Sequence, residues 1–237
     1  YQTKKKIPFD LYHKQQEFGV SIFRRICAKL IYVPLDYTYH TSYADYSNYV
    51  SHTKVSERYT KKVIVTLVKK ILSMKGEIIT PSLKTRKILL SYGVTRYINV
   101  VPNAIDFSSY GKEKDEEREK WFRKELGIEG KRILLYLGRV AKEKNIEELM
   151  RGFNGYKLRY NDMKSILLIV GSGPDMERLI AIKETLSFKD DIYFLGKVPH
   201  EDTMFYYQIA DAFLSASLSE TQGLTYSEAI ASSCLVL

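Results

Sequence analysis

Arg132-Ile133-Leu134-Leu135-Tyr136-Leu137 runs straight into Gly138-Arg139, and Ser165-Ile166-Leu167-Leu168-Ile169-Val170 runs straight into Gly171-Ser172-Gly173-Pro174. Each is a short apolar run closed by a glycine turn, which reads as a buried strand. The stretch between them, near 146–160, is amphipathic and reads as a helix. A strand, a helix and a second strand in that order predict a parallel pair with the helix packed on one face. The same alternation extends outward in both directions. Further strands are expected at Leu35–Tyr39, Glu77–Thr80, Asn99–Val101, Ile192–Leu195 and Ala212–Ser215. Helices are expected near 17–31, 45–75, 83–92, 115–126, 175–186, 201–210 and 222–232. The fold class is therefore α/β, with doubly wound parallel sheets.

The 237 residues allow one large or two small domains. Charge divides them: residues 1–110 hold 18 Lys+Arg against 7 Asp+Glu, and residues 111–237 hold 19 against 21. Pro102-Asn103-Ala104-Ile105-Asp106 is a turn-rich exit from a strand, and the segment from Lys112 to Lys120 is charged with little apolar content. The expected division is a first domain over 1–110, a linker over 111–130 and a second domain over 131–237. The two cysteines, Cys27 and Cys234, have neither metal nor redox spacing, which favours a reduced, cytosolic setting. No apolar run approaches the roughly 20 residues of a membrane span. The chain begins at Tyr1 just before the strand-like Phe9-Asp10-Leu11-Tyr12 and ends at Leu235-Val236-Leu237, which reads as the start of another buried strand. It is expected to be an internal fragment with little activity alone.

Four turns in the second half carry residues suited to a ligand. Gly138 permits a tight turn after a strand, and Arg139 and Lys144 flank the entry to the next helix, where two cations suit a diphosphate. Gly171 and Gly173 would bring backbone close to a ligand, with Pro174 at the first position of a helix. Leu195-Gly196-Lys197-Val198-Pro199-His200 offers backbone to a base edge, and His200 is expected at a helix start. Glu220-Thr221-Gln222-Gly223-Leu224-Thr225-Tyr226-Ser227-Glu228 places two carboxylates around a helix expected to begin near Thr221 to Gly223. Free amides at such an end attract phosphate, and the carboxylates suit sugar hydroxyls. Ligands of open α/β sheets sit at the carboxyl ends of the strands. Asp190-Asp191 reads as a turn before a strand, and no clear D-x-D metal motif stands out.

Together, Gly138-Arg139 with Lys144, Gly171-Ser172-Gly173-Pro174, Leu195-Gly196-Lys197-Val198 and the E-x7-E of Glu220 and Glu228 resemble the donor domain of the retaining glycosyltransferases of family 4. Pro102-Asn103-Ala104-Ile105-Asp106 resembles that family's interdomain stretch, with Ala104 where Gly is frequent. The resemblance implies a GT-B fold, two Rossmann-like domains facing a cleft, both incomplete here. It implies that Arg139 and Lys144 hold the donor diphosphate and that Glu220 contacts hydroxyls of the donor sugar. Gly223 and Leu224, beside Thr221, would give amides to the distal phosphate. Glu228 would bind the ribose diol, and backbone near Val198 would meet the base, uracil. No metal or other cofactor is implied; the nucleotide sugar is a substrate.

On the acceptor side, Tyr37-Thr38-Tyr39-His40-Thr41-Ser42-Tyr43-Ala44-Asp45-Tyr46-Ser47-Asn48-Tyr49 sets His40 just after a strand. The resemblance implies that His40 faces the donor sugar. His13-Lys14-Gln15-Gln16-Glu17-Phe18 departs in part from the family's histidine pattern, so His13 and Glu17 receive no role. From Lys54 to Lys75, helical spacing clusters Lys54, Arg58, Lys61, Lys62 and Lys69 on one side, and Tyr59, Val63, Ile64, Leu67, Ile71 and Met74 on the other, with Lys70 and Leu72 breaking the pattern. Two readings stand: a core-packed helix with a solvated basic face, or a face that docks on anionic lipid.

The tyrosine-rich run and Ser219-Glu220-Thr221-Gln222-Gly223-Leu224-Thr225 are similar to bacterial diacylglycerol glucosyltransferases, peripheral membrane enzymes. That similarity implies transfer of glucose from UDP-glucose to diacylglycerol or a glucosyl-diacylglycerol, with the α-configuration retained, on the inner face of the cell membrane. The partners implied are a UDP-sugar, a lipid acceptor and an anionic membrane surface, not nucleic acid. Two alternatives stay open: a soluble family 4 enzyme acting on a sugar or cell-wall precursor, and a nucleic-acid-binding protein using the basic first half. The second leaves the four turns unexplained.

Overall fold

The computed structural model describes residues 10–14, 34–40, 54–73, 76–110, 113–217 and 219–237. The expected helix at 17–31, Glu17, Cys27, Met74 and the 41–49 part of the tyrosine-rich run lie outside them. The chain forms two compact units, one of residues through Ala104 with Glu220–Gln222, the other of Ile105–Ser219 with Gly223–Leu237.

The first unit is built on a parallel sheet of β1 (Tyr12–Lys14), β2 (Leu35–Thr38), β3 (Glu77–Thr80) and β4 (Ile98–Val100), in that spatial order. Register sets Tyr37 opposite Ile78 and Ile78 opposite Ile98, a buried row across three strands. Helices α1 (Lys54–Leu72) and α2 (Leu83–Ser91) supply Val68, Leu72 and Leu89 to the same core. The Ser82 hydroxyl caps α2 by accepting from the Thr85 amide. No helix among the described residues is long and apolar enough to cross a membrane.

The apolar stripe of α1 differs from its sequence pattern. Val68 and Leu72 are buried, with Ile64 packed beside them, but Tyr59 is 71% exposed, Leu67 43% and Val63 41%. The core takes Val68 and Leu72, neither of them in the expected apolar cluster, and of that cluster Ile64 packs against it, so the buried face is turned away from the expected apolar side. Arg58, Lys61, Lys62, Lys69 and Lys70 are exposed as well. The bared surface therefore mixes cations, a tyrosine and two aliphatic side chains. The helix starts at Lys54.

In the second unit, α3 (Glu116–Glu125), β5 (Arg132–Leu137), α4 (Ile146–Tyr160), β6 (Ser165–Val170), α5 (Met176–Lys183), β7 (Ile192–Gly196), α6 (Thr203–Ile209), β8 (Ala212–Phe213), α7 (Leu224–Ala231) and β9 (Leu235–Val236) follow one another. The sheet is fully parallel, in the order β7-β6-β5-β8-β9. Every residue of β6 is buried, as expected of a central strand covered on both faces. Alternation divides the side chains. Ile133, Leu135 and Leu137 join a core with α3, α6 and α7, while Leu134 and Tyr136 face Ile146, Met150, Phe153 and Leu179 of α4 and α5.

The stretch expected as a linker, 111–130, contains α3, whose Phe122 is buried in the first of these cores and packs edge-on against Phe205 at 5.6 Å. Arg118 fastens the same helix to Asp202 at 2.7 Å. The charged exterior of α3 hid one apolar anchor, and the division between units falls at 104/105. The terminal strand also differs from expectation: β9 pairs with β8, yet Leu235 is 60% exposed on the edge of the sheet. Asp190 and Asp191 lie in a 3-10 turn before β7, where Asp191 binds the fully buried Lys157 ammonium at 2.7 Å.

Candidate active site

In the second sheet the chain leaves β5 for β6 on one side and returns to β8 on the other, so the reversal of strand order lies between β5 and β8. A crevice opens at the carboxyl ends of the strands where such a reversal occurs. All five strands are parallel, so the turns after β5, β6, β7 and β8 share that edge. These turns carry Gly138, Arg139, Lys144, Gly171 and Val198, and α7 begins from the last of them.

The first turn is held from beneath. The Gly138 amide donates to Val170 O at 2.9 Å, and the buried Tyr136 hydroxyl donates to Arg139 O at 2.9 Å. The Arg139 guanidinium lies 3.8 Å from the carboxylate of Glu143, whose side chain is 4% exposed against 53% for Arg139. Glu143 thus steers an exposed cation from a buried position, a role the sequence reading missed although the i, i+4 spacing was visible. Val140 and Ala141 are fully buried, and Lys144 closes a 3-10 turn before Asn145, whose φ of 52° starts α4.

The glycines of the second turn have a packing purpose that the sequence did not show. A Cβ on Gly171 would stand 1.8 Å from Gly138 O, and one on Gly173 would stand 2.1 Å from Val140 O. On the side where a Cβ would stand, their bare backbone admits the neighbouring turn of the same unit. Val140 N donates to Ser172 O at 3.0 Å, and Gly171 N donates to Gly196 O at 2.8 Å. The turns after β5, β6 and β7 are thereby laced together. Val198 is half-buried against the core, and His200 opens a 3-10 turn ahead of α6, as its place in the sequence suggested.

Helix α7 begins at Leu224, with Gly223 as its N-cap at φ 74°. The Tyr226 ring would stand 2.6 Å from any Cβ at Gly223, so glycine is needed there for space as well as for backbone angle. One turn in, Glu228 accepts a hydrogen bond from Tyr207 Oη at 3.1 Å, and the Tyr110 hydroxyl bonds to the same carboxylate. Neither tyrosine was singled out from sequence. Tyr207 lies in the apolar-looking Met204-Phe205-Tyr206-Tyr207-Gln208-Ile209, and Tyr110 sits in a stretch without periodicity.

Glu220 and Thr221 group with the first unit. There Thr221 O accepts from the hydroxyls of Ser82 and Thr85, the latter at 3.1 Å. Gln222 makes a two-way amide pair with Asn103, donating to its carbonyl at 3.0 Å and accepting from its amide at 2.7 Å. His40 follows β2 and is half-buried; burial and the nearby charge of His13 lower its pKa below the ordinary 6.5. His13 is exposed on β1 and pairs with the Thr38 hydroxyl at 3.1 Å, so this sheet edge brings together two histidines of which only one was expected.

Residues 117–237 match the family described as Glycosyl transferases group 1, and residues 1–109 match Glycosyltransferase Family 4. An alpha-monoglucosyldiacylglycerol synthase of Streptococcus pneumoniae is 33% identical over 100% of this chain and 53% of its own length. One from Acholeplasma laidlawii is 31% identical over 98% of this chain and 59% of its own length. The chain spans about half the length of the curated relatives it matches. Among solved structures, Anabaena HepE in complex with UDP and glucose has a TM-score of 0.77 at 16% identity, covering 99% of this chain and 60% of HepE. Sucrose-phosphate synthase from Thermosynechococcus elongatus gives 0.78 at 20% identity, covering 99% and 57%. At such identities the likeness is one of fold, the GT-B fold of glycosyltransferases.

Proposed function

Because the chain belongs to the family 4 glycosyltransferases, we propose that the protein transfers glucose from UDP-glucose to diacylglycerol or a glucosyl-diacylglycerol at an anionic membrane surface, with retention of configuration. The observation that carries the reading is the shared carboxyl edge at the β5/β8 reversal, the edge of the sheet to which the turns holding Arg139, Lys144, Gly171 and Val198 and the start of α7 all belong. Cleavage of the bond between the sugar and the diphosphate develops negative charge on phosphate. Donors already aimed at that charge lower the barrier.

In this reading Arg139 acts as a planar fork and Lys144 as a point charge on the diphosphate. Amides of Gly223 and Leu224 face the distal phosphate, helped by the dipole of α7. Glu228 accepts from the ribose diol, and backbone at Val198 meets uracil. Glu220 accepts from hydroxyls of the sugar, Thr221 shapes the loop that carries it, and His40 contacts the sugar. The leaving phosphate takes the acceptor's proton, so no metal is assigned a step.

The lipid acceptor is supported by the names of the two glycolipid synthases, and the membrane surface by α1. Arg58, Lys61, Lys62 and Lys69 would attract anionic headgroups at about 1 kcal/mol each. Tyr59, Val63 and Leu67, exposed beside them, would sit at the boundary with the acyl chains.

The test is a donor screen of the full-length protein with diacylglycerol and glucosyl-diacylglycerol in anionic vesicles, with products identified by mass and anomeric configuration. An α-glucosyl lipid formed from UDP-glucose is expected. A β-linked product, or transfer confined to water-soluble acceptors, would overturn the reading.

A further inference from the structure

Tyr207 and Tyr110 come from distant parts of the chain, α6 and the end of the 3-10 turn Phe107–Ser109, and meet on one carboxylate. Tyr207 is fully buried and Tyr110 is 9% exposed. A buried phenol needs a hydrogen-bond partner, since burying a bare hydroxyl is unfavourable. A backbone carbonyl would serve that need. Here the partner is Glu228, on the helix that starts at the carboxyl edge of the sheet.

The ring of Tyr207 cannot swing away. It packs edge-on against Phe213 with centroids 5.7 Å apart, and Phe213 packs in turn against Tyr226 at 5.6 Å. The three rings tie α6, β8 and α7 into one block, so the phenolic oxygen has a fixed place relative to α7. Both phenols are held protonated, and hence donating, by burial first and then by the negative charge of Glu228. A carboxylate has about four acceptor positions. Two donated bonds fix its plane and leave the other positions free. A carboxylate fixed in plane can accept from two adjacent hydroxyls at once without first losing its own rotational freedom.

We propose that Tyr207 and Tyr110 are positioning residues that set the Glu228 carboxylate to accept from a vicinal diol, the paired ribose hydroxyls of a nucleoside diphosphate. The inference rests on the assignment of Glu228 to the donor site. Removing either phenolic O–H leaves the carboxylate present but loosely aimed, so the loss is confined to ligands that possess the diol.

Calorimetric titration of the full-length protein with UDP and with its 2′,3′-dideoxy analogue tests this. Tyr207→Phe keeps the ring packing and removes one O–H, and Tyr110→Phe does the same at the less buried position. Each is expected to weaken UDP roughly five- to tenfold, the scale of having to order one side chain on binding, and to leave the dideoxy analogue within twofold. In a Glu228→Ala background, Tyr207→Phe is expected to add no further loss, because the two residues act as one unit. Unchanged UDP affinity in both tyrosine variants would overturn the inference. So would an equal loss for the dideoxy analogue, or a full additional loss in the Glu228→Ala background, either of which marks a purely structural role. Wild-type protein that binds UDP and the dideoxy analogue alike would remove the diol assignment of Glu228 itself, and the inference with it.

Discussion

The turns of the five-stranded sheet are locked to one another, whereas the four-stranded sheet carries its distinctive chemistry on an outward helix face. In the second unit, Gly171 and Gly173 lie against Gly138 and Val140, Glu143 steers Arg139, and two phenols hold Glu228. In the first, α1 sets Arg58, Lys62, Tyr59, Val63 and Leu67 in solvent. The contrast fits a small, charged ligand on one side and a broad, soft surface on the other. A diphosphate is recognised by donors fixed to fractions of an ångström. A lipid surface asks only for charge and apolar area facing one way.

The strongest test of that contrast is Gly171→Ala. The added methyl would stand 1.8 Å from Gly138 O, an overlap with backbone that only movement of both turns can relieve. A loss of about 3 kcal/mol or more of stability is expected, read from denaturant unfolding together with loss of UDP binding. A stable variant that still binds UDP would show the lacing of the turns to be dispensable.

Lys144→Ala comes next. It should leave the fold intact and reduce turnover of the full-length enzyme at least tenfold, about 1.4 kcal/mol of transition-state stabilisation. An unchanged rate would take Lys144 off the diphosphate. On the opposite side of the comparison, Lys62→Ser removes about 1 kcal/mol of attraction to anionic lipid. Partitioning onto anionic vesicles at low salt should fall roughly fivefold while UDP affinity stays at the wild-type value. Equal sedimentation of variant and wild type would count against membrane docking by α1.

The smallest effect concerns His40. Its pKa is lowered in the fold, so between the folded and unfolded values the unfolded chain binds more protons. The contribution of His40 to stability is therefore complete above about pH 6.5 and is lost as pH falls through the folded value. An NMR titration should find His40 titrating below 6.5, and His13→Ala should move it upward by removing the neighbouring charge. A His40 shift that ignores His13 would separate the two histidines.

Much of the fold was legible in order along the chain. Strands at 77–80, 132–137 and 165–170 and the helix at 146–160 have the expected bounds, because periods of two and of 3.6 residues are local properties. Glycine turns after apolar strands, and with them the family, were equally open to reading. What each glycine admits was not. Gly171 was read as an approach for a ligand, and only the parallel pairing of β5 with β6 shows that Gly138 O also needs the space of a Cβ there.

Helical spacing set an apolar side of α1 against a basic one, but the core formed with β2, β3 and β4 takes Val68 and Leu72 from outside that apolar side, with Ile64 at its margin. The charges on α3 concealed Phe122 for the same reason: burial belongs to the pair of surfaces, not to the segment. Tyr110 and Tyr207 reach Glu228 across separations of more than a hundred residues and of 21, with no spacing rule to join them. The sequence alone determined which elements exist and in what order. Tertiary structure alone decided which side chains share a carboxylate, since that depends on where two separately folded elements come to rest.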